Sequence, residues 1–123
     1  MLAFTGQGVA RMVPDYTGFG DPARTQGYFH AAIKAQMVLH GIAAAGDAMV
    51  AFPEVSHRPA KVFLAGYAQG GHAMFATADA RGRSVPQISI SGLIGYGPTR
   101  DVATLLREFS VAAPMLIHIF AEI

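Results

Sequence analysis

Apolar residues are spaced in two ways along this chain, and each spacing predicts an element. Gly8-Val9-Ala10-Arg11-Met12-Val13 is a short apolar run closed by Pro14, and it reads as a strand. From about Phe29 to Phe52 the spacing lengthens to three and four. Val38, Ile42, Ala45, Met49 and Phe52 then share one face of a helix, supported by many alanines. Gly41 and Gly46 weaken that helix by up to ~1 kcal/mol each relative to alanine. They either permit close packing on a sheet or, at Gly46, mark a break. Lys61 to Gly66 is unbroken apolar from Val62 to Ala65, as in a strand buried on both faces of a parallel sheet. A helix-prone run follows from Gln69 to Ala80, and Arg81-Gly82-Arg83-Ser84-Val85-Pro86 stops it. Gln87-Ile88-Ser89-Ile90-Ser91 alternates and passes into Gly92-Leu93-Ile94-Gly95, a third strand.

The polar stretches between these runs are loops. Asp15-Tyr16-Thr17-Gly18-Phe19-Gly20-Asp21-Pro22 holds two glycines, two aspartates and a proline. Asp15 is either a catalytic carboxylate or, as is commoner in such loops, a turn residue bonding nearby N–H groups. Phe52 to Pro59 returns the chain to the sheet, and Gly95-Tyr96-Gly97-Pro98 is read as a turn. Thr99 or Asp101 then caps a helix over 101–109. The tail from Ala113 to Ile123 suits a strand by its β-branched residues or a helix starting at Pro114, and helix is the reading taken. Strand, helix, strand, helix, strand, helix implies an α/β fold, with parallel strands and helices on both faces.

The junction of the second strand and its helix is Gly66-Tyr67-Ala68-Gln69-Gly70-Gly71-His72. G-x-A-x-G between a strand and a helix is a tight turn. Gly66 and Gly70 are expected to avoid collisions across it. The backbone N–H of Gln69, next to the apex, then lies at a helix N-terminus, where a developing oxyanion is stabilised. No Lys-Ser or Lys-Thr follows the glycines and G-x-G-x-x-G is absent, so no nucleotide cofactor is expected. Ser89 and Ser91 lack the flanking glycines of such a turn and are read as polar strand positions.

Composition narrows the functions. The chain has 123 residues, 52% hydrophobic and 14% charged, so one domain at most. A net charge of +1 with scattered basic residues gives no case for nucleic acid. There are no cysteines, which removes disulfides, thiolate metal sites and thiol nucleophiles. His30 and His40 lie ten apart, not four, so both read as ordinary helix residues and no metal is expected. No run approaches the length of a membrane span, and Met1 to Met12 has no signal-peptide pattern; the compartment is left open.

Three motifs carry a likeness. Val13-Pro14-Asp15-Tyr16-Thr17-Gly18-Phe19-Gly20, then Tyr28-Phe29-His30-Ala31, then Gly66 to His72 resemble the α/β-hydrolase superfamily, and within it the secretory-lipase-like esterases, over roughly residues 8–110. That group's elbow typically reads G-Y-S-Q-G-G-H. The resemblance implies ester hydrolysis through a serine acyl-enzyme, with a histidine as base, an acid behind it and backbone N–H groups on the oxyanion. It implies that the three strands are the fourth, fifth and sixth of a larger sheet, so residues 1–123 form a single, incomplete core. It also implies that family members are often secreted.

Two departures follow. Ala68 stands at the nucleophile position, where no acyl-enzyme can form; loss of a triad nucleophile costs on the order of 10⁶ in turnover. After it stand only Asp79, Asp101, Glu108 and Glu122 as acids and His72 and His118 as histidines, so no complete triad is expected. The Ala is either engineered or natural. The candidate site is therefore Ala68 and the Gln69 amide, with Tyr67, His72, Asp15 and Tyr16 against a substrate. The alternative is a non-catalytic α/β module or fragment that binds an acyl ligand, a complementary chain or a second copy of itself.

Overall fold

The computed structural model of the chain describes residues 5–52, 54, 61–84, 88–97, 101–108, 111, 114 and 117. After a single 3-10 turn, Thr5–Gln7, come α1 (Ala31–Ala51), β1 (Val62–Tyr67), α2 (Gln69–Ser84), β2 (Ile90–Tyr96) and α3 (Val102–Glu108). β1 and β2 pair in parallel and α2 crosses between them. This is the α/β pattern that the alternating elements imply, except that among the described residues the packed helices, α1 and α2, lie on one face of the sheet rather than both.

Gly8–Val13 is not a strand; the chain there has no regular structure. A strand exists only where a neighbour takes its hydrogen bonds, and the described sheet has β1 and β2 alone. Its side chains act as packing instead. The Met12 Cε atom would lie 2.8 Å from a Cβ placed on Gly41, so this stretch presses on α1 where glycine leaves room.

α1 begins at His30, whose side chain accepts a hydrogen bond from the Ile33 N–H (3.3 Å) as the N-cap. His30 is thus a cap rather than an interior helix residue, and His40 is exposed. Gly46 does not break the helix, which runs on to Ala51 with Gly46 buried. The buried stripe is Lys34, Ala35, Val38, Leu39 and Gly46. It is rotated from the face expected from sequence: Phe52 has left the helix and lies exposed as its C-cap.

α1 packs on α2, and α2 packs on both strands. The core is Val38, Leu64, Ala73 and Met74, with Tyr16, Ile42, Val62, Phe75 and Ile90 against it. Burying side chains of this size is worth ~1.5–3 kcal/mol each, and the cluster joins all three layers. Thr77, buried in α2, satisfies its hydroxyl by donating to the Ala73 carbonyl at 2.7 Å. α2 is a turn longer than expected, because Gly82 costs a helix only ~1 kcal/mol and does not end it.

β2 starts at Ile90 and continues through Gly95 and Tyr96, which had read as a turn. Gly66 pairs with Gly95 and Tyr67 with Tyr96. Met74 of α2 lies over Gly95; a Cβ there would be 2.7 Å from the Met74 Cε, so a larger residue would require that side chain to shift. Ser91 is an exposed strand position and Ser89 precedes the strand.

Among the described residues α2 covers one face of the sheet. Phe63, Tyr67, Ile94 and Tyr96 stand exposed on the other, with Tyr67 at 77% and Tyr96 at 73%. Asp101 caps α3, accepting from the Thr104 N–H (3.0 Å) and hydroxyl (2.7 Å), and these bonds hold its pKa below the usual 3.8. Most of the 113–123 tail, including His118 and Glu122, lies outside the described residues, as does most of the loop after Phe52.

Candidate functional site

β1 enters α2 through one residue, Ala68. Its φ is +49°, in the left-handed region that favours glycine. An L-residue there costs roughly 1–2 kcal/mol. The surroundings hold it in place. The Ala68 N–H donates to the Tyr96 carbonyl (3.0 Å), and the Ala68 carbonyl accepts from the His72 N–H (3.1 Å). The first bond ties the apex to the end of β2. The second opens the helix.

The two glycines of the turn differ. A Cβ on Gly66 would collide with the backbone carbonyl of Gly70 and stand 2.6 Å from the Gly71 nitrogen. Gly70 has nothing within 4 Å of its Cβ position, so the expectation that both relieve crowding holds for Gly66 alone. The amides of Gln69, Gly70 and Gly71 precede the first intrahelical bond, from His72, so no carbonyl of the helix accepts from them. Donors and helix dipole together make this end attractive to negative charge.

The other candidates fall into two groups. Tyr67 is exposed on the bare sheet face beside Tyr96, away from the core. His72 is half-buried between the helices, its ring edge-on to Phe29 with centroids 5.3 Å apart. Its Nδ1 is buried without a partner, as are the side-chain nitrogens of Gln69 and Gln26. The His72 pKa is pushed below its ordinary 6.5, chiefly by burial and further by the charge of Lys34. His72 is therefore a neutral imidazole at pH 7.

Asp15 is exposed. The carboxylate that ties the loop is Asp21, which accepts from the Ala23 N–H (3.0 Å) and pairs with Arg24 (3.4 Å). Tyr16 turns inward against the core, and its carbonyl accepts from the Phe19 N–H at 2.9 Å. Burial raises the pKa of its phenol. Phe29, just before the His30 cap, is the second non-glycine residue at positive φ (+59°), and it is buried.

Sequence reasoning missed Lys34. It is 1% exposed, its Nζ lies 3.7 Å from the centre of the Tyr16 ring, and burial alone lowers its pKa from 10.5 to about 8. The available signal was its place four residues before Val38, on the same helical stripe. Among the described residues, no group of three or more His, Asp or Glu side chains is placed to hold a metal. Nor is any helix there long and apolar enough to cross a membrane.

A strand–turn–helix with a strained apex and a glycine crushed beneath it is the form that G-x-A-x-G implies. The family model described as secretory lipase matches residues 2–113. The chain belongs to the secretory lipase family. Neither the curated proteins nor the solved structures gave a match. As a member of that family, the chain is of esterase/lipase lineage, and the family fold is the α/β-hydrolase fold.

Proposed function

We propose that the Ala68 turn is the nucleophile elbow of a carboxylic ester hydrolase, disarmed by the alanine at its apex. The observation that carries this reading is the +49° φ of Ala68. Alanine gains nothing from that conformation, and a turn without a chemical task has easier routes from strand to helix. A strained apex lifts the side chain above the strand end and brings it beside the free amides of the helix. A serine there would attack an ester carbonyl and the Gln69 amide would hold the oxyanion. Ala68 leaves the donors and removes the attacking oxygen. Of the other candidates, His72 at the start of α2 is the side chain proposed to meet the acyl ligand. Tyr67 on the bare sheet face, Asp15 exposed on its loop and Tyr16 turned into the core are not brought together with it.

The test is Ala68→Ser at the same chain length, offered a fluorophosphonate probe and a short-chain nitrophenyl ester. The parent should give neither label nor turnover above buffer, and labelling of the introduced hydroxyl would mean that an activating histidine assembles beside it. Turnover by the parent would refute the reading.

A second reading is that the single core of residues 1–123 is completed by a complementary chain or a second copy. The exposed Phe63, Tyr67, Ile94 and Tyr96 on one sheet face favour it. A cooperatively melting Ala68→Ser protein that takes no label, together with concentration-dependent association, would put this reading first.

A further inference from the structure

Lys34 carries an ammonium and is 1% exposed, and among the described residues no carboxylate pairs with it. Among the described residues its polar surroundings are the face of the Tyr16 ring, from the loop before α1, and His72, from α2. No ion pair to it occurs there. A buried charge without a counter-ion is costly, and the protein can relieve that cost in two ways: lose the proton or let water in. α1 and α2 are held by the core. The loop is not a regular element, and its Tyr16 ring lies directly against the Lys34 nitrogen.

We infer that the Asp15–Gly20 loop is a lid over Lys34 whose hold depends on the charge of that lysine: the loop lies down over the neutral amine and lifts to hydrate the ammonium. The ring face returns part of the lost hydration through cation–π attraction. Burial is the larger effect, since Lys34 loses its proton more readily here than in water. A state that disfavours the proton is weakened wherever the proton is bound, so the closed loop is favoured as pH rises. The other groups facing Lys34 do not titrate in that range. His72 is pushed below 6.5 and is already neutral, and Tyr16 is pushed above 10.0. The lid does not depend on the hydrolase reading, but the loop carries Asp15 and Tyr16 and so changes what can stand beside α2.

The Thr17 amide reports the lid directly, because it donates to the Met37 sulfur of α1 at 3.4 Å. Its hydrogen exchange in the intact chain, read by NMR and corrected for the intrinsic rate, should slow as pH passes from 8 to 10. Protection should rise about tenfold per unit by which opening restores the lysine's ordinary pKa. The rise should begin near the lysine's pKa of about 8. The amide of His72, which opens α2, should show no such step. Lys34→Met, which keeps the stem, should give high protection at every pH. Flat or falling Thr17 protection in the parent overturns the inference without need of any variant, and falling protection would mean that the ring holds the cation instead. An unchanged pH step in Lys34→Met overturns it as well.

Discussion

Gly66→Ala and Gly70→Ala differ by one methyl group at two ends of the same turn and should have opposite effects. Without tertiary contacts, Ala in place of Gly within a strand is favourable by roughly 0.5–1 kcal/mol. At Gly66 the new Cβ would strike the Gly70 carbonyl and lie 2.6 Å from the Gly71 nitrogen, and these are backbone atoms at a helix start. They are held by the His72 to Ala68 and Ala68 to Tyr96 hydrogen bonds, so relief means breaking the turn. Overpacking costs 1–3 kcal/mol where side chains can give way, and about 3 kcal/mol or more is expected here. For a domain of this size that is a fall in Tm of roughly 10 °C. At Gly70 the added methyl meets open space in the first turn of α2, and helix propensity favours it by up to about 1 kcal/mol. Urea and thermal unfolding followed by far-UV circular dichroism measure both. The reasoning fails if Gly66→Ala unfolds within about 0.5 kcal/mol of the parent, or if Gly70→Ala costs as much as Gly66→Ala.

Ala68→Gly should stabilise the chain, since it releases roughly 1–2 kcal/mol of left-handed strain against an unfolded-state entropy loss of about 0.4–1 kcal/mol; a lower urea midpoint would contradict this. The folded pKa of His72 lies below its unfolded value of 6.5, so the unfolded chain binds the extra proton first and stability should fall as pH drops below 6.5. His72→Gln should flatten that limb of the stability–pH curve. Lys34 works at the other end: with a folded pKa of about 8 against 10.5 unfolded, global stability should rise as pH passes from 8 towards 10.5. Lys34→Met should remove the rise. Asp101→Ala should lose the N-cap of α3, seen as faster exchange at the Thr104 amide, with α1 and α2 unaffected.

The turn was legible because its demands are local. Gly66 must be glycine for lack of room, a strand must run in and a helix must run out, and each of these leaves a mark within ten residues. α1 and α2 were legible for the same reason. What failed was what depends on neighbours distant in sequence. Gly8–Val13 has the composition of a strand and no described strand beside it to bond. Gly95 looks like turn punctuation until Met74 is laid over it, and then it is a strand residue that leaves room for that side chain. Lys34 was passed over because a charge on a helix normally faces water. Its burial follows from the way Tyr16 folds back across α1, a contact eighteen residues away. Gly70 shows the opposite error, a glycine credited with a steric role that the open space around it does not require.

The most direct measurement is the thiol pKa of Ala68→Cys, read from the pH dependence of iodoacetamide alkylation. The chain has no other cysteine, so the signal is unambiguous. It needs no catalytic base. If Ala68 stands at the apex of a nucleophile elbow facing the unbonded amides of Gln69, Gly70 and Gly71, the thiolate is stabilised and the pKa should fall about a unit or more below the usual ~8.5. A pKa at or above ~8.5 in a protein that still melts cooperatively would mean that the turn offers no anion cradle. The account of a disarmed esterase elbow would then be wrong.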